Sequence, residues 1–385
     1  MIHYGRQSIS QTDIDEVVEV LKSDFLTQGP ITPAFEDAVS SKVGAKYSVA
    51  TNSATSALHI SCLALGLSTN DWLWTSPITF VASANCALYC GANIDFVDID
   101  TRTFNISPLK LEEKLQIAKR DNKLPKIIIV VHMTGQSAEM EKIFQLSLEY
   151  GFHIIEDASH AIGGKYQEKY IGSCQFSDIT IFSFHPVKII TSAEGGMALT
   201  NSQEICNKLQ LFRTHGITRN PKLMKKQNNE FWRYEQIQLG FNYRISDLHA
   251  ALGLSQLKRL DKFVEKRHYI AKRYNQLLDE LPVITPYQNP KCYSSFHLYV
   301  ILLDLEKINK SQSQIFDLMK SKGVAVNLHY IPVHTQPYYE SLGFKKNQFP
   351  KSMEYSSKAM SLPIYYDLSD ENQDSVIKAI VESIN

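Results

Sequence analysis

The sequence predicts an α/β protein in which a large domain on a mostly parallel sheet, residues 1–245, precedes a connecting helix and a smaller α+β domain, residues 246–385. Three observations carry this. Apolar runs of strand length recur through the first part of the chain, helical patterns separate most of them, and the pattern changes after Leu281. Such alternation marks a sheet covered by helices on both faces, with ligands gathering at the carboxyl ends of its strands.

Ser10, followed by Asp13, can cap a helix whose apolar positions Ile14, Val17, Val18 and Leu21 share one face, and Gly29-Pro30 ends that unit. Tyr47 to Thr51 reads as a short strand. Asn52-Ser53-Ala54-Thr55 then opens a helix through Leu58, Cys62 and Leu65 to Gly66. Ile94 to Val97, Lys126 to Val131, His153 to Ile155 and Ile179 to Phe184 are the next strands. A long amphipathic helix is expected from about Ser246 to Leu278, with Leu248 and Leu252 at helical spacing. In the smaller domain the reading is a strand (Phe296 to Leu303), a helix (Ser313 to Lys322), a strand (Ala325 to Ile331) and a terminal helix (Glu371 to Ile384).

The chain has 385 residues, 44% of them hydrophobic, enough to bury a large core in roughly two domains. Lysine plus arginine and aspartate plus glutamate each number 40, so no overall basic field draws the protein to nucleic acid or to an anionic membrane. No signal core or membrane-length apolar stretch is visible, which makes a cytoplasmic location the expectation. Six scattered cysteines without a CxxC pair read as reduced thiols. Cys86 and Cys90, one helical turn apart, lack further ligands at set spacing, and His329 and His334 fit no metal motif, so no metal is expected. The four basic residues of the segment Arg219 to Lys226 read as a solvated loop, with a phosphate clamp as the functional alternative.

The chemistry-bearing residues follow the strands. Glu156 and Asp157 come after His153-Ile154-Ile155, Lys188 after Ile179 to Phe184, and Ser53 and Thr55 at the helix start after the first strand. Asp157, Ser53 and Thr55 each have an ordinary reading as capping residues, and Lys188 one as a loop charge. Lys188, however, is set among Pro186, Val187, Ile189 and Ile190, and burial depresses an amine's pKa and makes it a nucleophile toward carbonyls. No GxGxxG follows an expected strand, which excludes the usual dinucleotide site. A small-residue helix N-terminus suits one phosphate instead. Lysine, acid and phosphate site are the parts a pyridoxal phosphate enzyme needs.

The stretches NSATSAL (52–58), ITFVASAN (78–85), EDASHAIGG (156–164), FSFHPVK (182–188), AEGGMALTN (193–201) and GFNYRISDLHAALGLSQLKRLD (240–261) resemble the DegT/DnrJ/EryC/StrS family. Its members are pyridoxal phosphate-dependent nucleotide-sugar aminotransferases with the type I, aspartate aminotransferase-like fold. The resemblance covers nearly the whole chain. VVHMTGQSAEM (130–140) and VNLHYIPVHTQPYYESLGF (326–344) look most like the branch that makes UDP-4-amino-4,6-dideoxy-N-acetyl-β-L-altrosamine, a pseudaminic acid precursor. Trp72-Leu73-Trp74 departs from the family, which usually has an acid and aliphatic residues there.

The resemblance implies roles. Lys188 would bond to the cofactor aldehyde and then, as a free amine, move the proton between the substrate carbon and the cofactor. Asp157 would pair with the pyridine nitrogen, His160 would sit near the phenolic oxygen, and Phe80 would stack on the ring. Backbone N–H groups of Ala54 and Thr55, the Ser183 hydroxyl and Asn242 from a neighbouring subunit would hold the phosphate, making an obligate homodimer with shared sites. His185 is open between substrate contact and support for Lys188. His329, Tyr330, Thr27 and Gln28 are substrate-contact candidates.

The reaction so implied moves an amino group from L-glutamate to C4 of a UDP-linked 4-keto-6-deoxy-N-acetylhexosamine in two half-reactions. The alternatives are a C4 or C3 aminotransferase acting on another nucleotide-linked keto sugar, a dehydratase on the same scaffold, and a cofactor-binding regulator. The dehydratase relatives have histidine in place of the lysine, so Lys188 argues against that reading.

Overall fold

The structure is a computed structural model that describes residues 1–224, 226 and 230–385. Lys225, part of the basic segment noted above, lies outside the described residues. Seven strands, β1 (Tyr47–Thr51), β2 (Trp72–Thr75), β3 (Asn93–Phe96), β4 (Ile127–Val131), β5 (His153–Asp157), β6 (Ile179–Ser183) and β7 (Gly196–Thr200), form one sheet in the order β1-β7-β6-β5-β4-β2-β3. Strand β7 is antiparallel to both neighbours and the remaining pairings are parallel. Every residue of β4 and of β6 is buried, which is why these strands read as unbroken apolar runs.

Two sheet strands, β2 and β7, were not among those expected from sequence. Trp72-Leu73-Trp74 is the body of β2, and the fully buried Trp74 ring takes the Lys114 ammonium over its face, 4.8 Å from the centroid. Strand β7 begins on Gly196, a residue type that weakens a strand signal. Here a glycine is required, because a Cβ at Gly196 would stand 2.4 Å from the Ala54 nitrogen. The strand therefore passes directly under the start of the helix that follows β1.

Helix α1 (Gln11–Lys22) has the expected capping box between Ser10 and Asp13, yet its apolar stripe faces outward, with Ile14 47% and Leu21 57% exposed. The buried residues are Asp13 and Val20, and Asp13 is the polar anchor. Burial raises its pKa, but hydrogen bonds from Ser10, Ser255 and Gln256 outweigh this and hold the carboxyl below its usual range. Arg259 pairs with the same carboxylate. Helices α2 (Ile31–Val43), α3 (Ala54–Ala64) and α4 (Ala82–Tyr89) follow, and α3 is buried on nearly all sides between sheet and neighbouring helices.

The single long helix expected over 246–278 is two helices, α5 (Asp247–Leu257) and α6 (Leu260–Leu277). The break falls at Lys258-Arg259, without glycine or proline to mark it. There Arg259 turns its guanidinium onto Asp13 and the Ser8 carbonyl.

The chain then forms a three-stranded antiparallel sheet, β8 (Val283–Ile284), β9 (Tyr299–Leu303) and β10 (Ala359–Leu362), in that order. Helices α7 (Gln312–Ser321) and α8 (Asp370–Ile384) share its apolar core. The strand expected at Ala325–Ile331 is not a strand. That segment makes a single bridge, Asn327 to Ser361, just after one from Val324 to Ile2, and its residues 327–330 line a cleft at the main sheet's carboxyl edge. The N-terminal residues are tied to the same region, the Ile364 N–H donating to the Tyr4 carbonyl at 3.0 Å.

All six cysteines are unpaired. Among the described residues no cluster of three or more histidine, cysteine or acidic side chains is arranged to hold a metal ion, and no helix is long and apolar enough to cross a membrane.

Candidate active site

A cleft of about 350 Å³ opens at the carboxyl ends of β4, β5 and β6. Ten of the residues expected from sequence line it: Ala54, Thr55, Phe80, Asp157, His160, Ser183, His185, Lys188, His329 and Tyr330. They come from elements far apart in the chain, which the sheet order brings together.

Asp157 is the last residue of β5. Its Oδ1 accepts from the Ser159 N–H at 3.2 Å and the Ser159 hydroxyl at 2.6 Å, while Oδ2 accepts from the Ser83 hydroxyl, also at 2.6 Å. The carboxylate is thus fixed from its own turn and from the first turn of α4. Glu156 points to the opposite face, as alternation in a strand requires. There it accepts from Ser177 and Thr180 and meets His132 Nε2 at 2.6 Å. The Ala138 N–H approaches His132 Nδ1 at 3.2 Å, so Nδ1 accepts and Nε2 carries the proton donated to Glu156. Two acidic neighbours in sequence are anchored on two faces of one strand, and the cleft receives only Asp157.

Lys188 lies in the turn beyond β6, whose last residue is Ser183. The turn is tied back on itself, Lys188 N–H donating to the His185 carbonyl and Ser192 N–H to the Phe184 carbonyl, both at 2.9 Å. Buried Ile189 and Ile190 anchor it. Burial pushes the Lys188 amine down to about 8, with the charge of Asp157 pulling the other way. Among the described residues no side chain pairs with this amine. The side chain is thus half-buried in the cleft lining.

The first turn of α3 faces the same space. Ser53 is its N-cap, accepting from the Ser56 N–H at 3.1 Å, and among the described residues the Ala54 and Thr55 N–H groups have no partner. Free N–H groups at a helix start attract an anion. Phe80 stands 58% exposed at the cleft wall, its ring 6.2 Å from that of Tyr330.

His329 and Tyr330 enter from the segment beside β10. His329 is held by Ser361, Nδ1 to Oγ 2.8 Å, and its carbonyl accepts from the Tyr355 hydroxyl at 2.5 Å. Burial first and then the Lys188 charge press its pKa to about 3, so this imidazole is neutral. His160 is likewise held far below its ordinary value, by burial, then by Lys188 and His329.

Thr27, Gln28 and Asn242 do not line the cleft of the same chain. Thr27 bridges Ser246, Asn242 bridges Thr214, and all three are exposed. The lining residues that escaped the sequence reading include Tyr4, Thr79, Ser159, Glu194, His297 and Asn327. His297 leads into β9 and carried one signal, a lone polar residue heading an apolar run. Its backbone is set by Arg267, which donates to the carbonyls of Phe296 and His297 at 3.0 and 3.1 Å. Tyr4 gave none, because its place depends on how the N-terminal residues pair with a distant segment.

An amine of lowered basicity in one cleft with an anchored carboxylate and a helix N-terminus suits a pyridoxal phosphate enzyme of fold type I. The chain belongs to the DegT/DnrJ/EryC1/StrS aminotransferase family, whose model matches residues 7–381, and it is a sugar aminotransferase. It is similar to the UDP-4-amino-4,6-dideoxy-N-acetyl-beta-L-altrosamine transaminase of Campylobacter jejuni, 40% identical over 89% of this chain and 87% of that one. Among solved structures it is similar to Helicobacter pylori PseC, an aminotransferase involved in the biosynthesis of pseudoaminic acid. The TM-score is 0.89 and the identity 31%, covering 100% of this chain and 99% of that one. The pyridoxal phosphate form of a putative sugar aminotransferase, Spr1654 from Streptococcus pneumoniae, superposes with TM-score 0.87 at 26% identity, over 99% of each chain.

The residues of the cleft fit that cofactor. The unpartnered Ala54 and Thr55 N–H groups suit its phosphate, Asp157 its ring nitrogen and Lys188 its aldehyde. The buried Nδ1 of His160, without a protein partner, is left for a polar atom of a ligand.

Proposed function

We propose that the enzyme transfers an amino group from L-glutamate to C4 of UDP-2-acetamido-2,6-dideoxy-β-L-arabino-hexos-4-ulose, a UDP-linked 4-keto sugar, giving a pseudaminic acid precursor. The observation that carries the reading is the half-buried Lys188 amine, held near pKa 8 opposite a carboxylate fixed by three hydrogen bonds. The similarity to an altrosamine transaminase and to PseC supports the choice of sugar.

Bound pyridoxal phosphate supplies an electron sink that stabilises negative charge on the carbon bearing the amino group. The chain's own residues do the rest. Lys188 Nζ takes the proton from Cα of glutamate and, in the second half-reaction, delivers a proton to C4 of the sugar. Asp157 keeps the ring nitrogen protonated, which sustains the sink. Ala54, Thr55 and Ser183 hold the phosphate, and Phe80 covers one ring face and excludes water. His185, His329 and Tyr330, which line the cleft, are assigned to the sugar nucleotide.

A second copy of the chain completes the site by bringing Asn242 to the phosphate. The exposed stripe of α1 supports this pairing, as does the exposure of Asn242 itself. Incubation with nitrogen-labelled glutamate and the keto sugar tests the reading. Label at C4 of the sugar with release of the 2-oxo acid is expected, whereas label at C3 or no incorporation overturns the substrate assignment.

A further inference from the structure

His160 stands at the back of the cleft between two other rings. Its Nε2 is 3.0 Å from the Tyr330 hydroxyl, and the two rings lie 6.0 Å apart at 24°. On another side the His297 ring sits 4.4 Å away at 46°. The Ser295 hydroxyl donates to the His160 carbonyl at 2.7 Å, fixing the backbone of the turn. Nδ1 of His160 is buried without a protein partner.

The chemistry of the pair assigns the protons. Burial, with the Asp157 charge nearby, pushes the Tyr330 phenol well up, so it keeps its proton. Among the described residues that proton has no acceptor other than His160 Nε2. His160 is neutral, for the reasons given above, and a neutral imidazole carries a single N–H. With Nε2 accepting from Tyr330, the N–H is on Nδ1, the nitrogen left for a ligand.

We propose that Tyr330 is a positioning residue that locks His160 in the Nδ1–H tautomer, so that this histidine donates a hydrogen bond to the phenolic oxygen of the cofactor. The proposal rests on the cofactor site described above and deepens it. A donor at that oxygen withdraws negative charge from the conjugated system and lowers the proton affinity of the nitrogen joining the cofactor to Lys188. Without the tyrosine the imidazole is free to turn a lone pair toward the oxygen, and the effect is lost.

The test is the pH titration of the visible absorption band of the cofactor-loaded protein, a readout independent of turnover. Tyr330→Phe should raise the midpoint by about one pH unit, the size of one hydrogen bond. His160→Ala should raise it similarly, and adding Tyr330→Phe to His160→Ala should shift nothing further. An unshifted midpoint in Tyr330→Phe overturns the proposal. So does an equal shift in both backgrounds, since Tyr330 would then act on the cofactor without His160. Absence of any visible band in the unaltered protein overturns the cofactor site itself, a distinct failure.

Discussion

The Ser83 hydroxyl donates to Asp157 at 2.6 Å and so ties the first turn of α4 to the end of β5. Thr79 meets the same hydroxyl at 2.7 Å, extending the chain of hydrogen bonds into the wall that carries Phe80. A hydrogen bond to a charged group contributes roughly 1.5–3 kcal/mol. Ser83→Ala should therefore weaken cofactor binding by about tenfold or more while leaving the fold intact. Equilibrium titration of the cofactor checks this, and unchanged affinity would show that Asp157 needs no support from α4.

Lys188→Ala should abolish turnover while the phosphate and ring contacts still retain cofactor. Steady-state assay together with cofactor content after gel filtration checks both halves. Full turnover would remove the lysine from the chemistry.

The pKa of Lys188 makes a pH prediction. Its amine is lowered from the ordinary lysine value to about 8, so it is charged and unreactive below that pH and free above it. The rate at which the cofactor-free protein captures pyridoxal phosphate should rise through about pH 8 and level off above it. A midpoint near the ordinary lysine value would mean that burial does not activate this amine.

Gly196→Ala would place a Cβ 2.4 Å from the Ala54 nitrogen and force β7 and the start of α3 apart. Overpacking of this kind costs about 1–3 kcal/mol. The expected result is a lower melting temperature with a disproportionate loss of affinity for the phosphate. Equal loss of pyridoxal and pyridoxal phosphate binding would place the damage elsewhere.

Leu21→Glu puts a charge in the exposed apolar stripe of α1, where Leu21 is 57% exposed in the single chain. If two copies meet over this face, the substitution should shift sedimentation from dimer toward monomer and lower activity with it. A dimer that persists would locate the pairing surface away from α1.

Much of this was legible in the sequence, for physical reasons. Buried parallel strands are continuous apolar runs, so β4, β5 and β6 could be found, and residues just beyond them had to face the ligand edge. That logic put Asp157 and Lys188 at one edge, and both line the same cleft. It failed where tertiary contacts override local signals. Strand β7 starts on a glycine demanded by the neighbouring helix, β2 is hidden in an unusual pair of tryptophans, and the break between α5 and α6 is marked only by a distant partner of Arg259. The segment before Tyr330 looked like a strand because it alternates, yet it makes a single bridge. The outward turn of α1 could not be read from its periodicity, which gives a stripe without saying what covers it.

The most direct test of the central claim is the visible absorption of the cofactor-loaded protein, followed first on adding L-glutamate and then on adding the UDP-linked 4-keto-6-deoxy-N-acetylhexosamine. Loss of the band with glutamate and its return with the keto sugar is the expected result, showing both half-reactions on one site. A band that bleaches and never returns with this sugar would contradict the substrate, and one that ignores glutamate would contradict the donor.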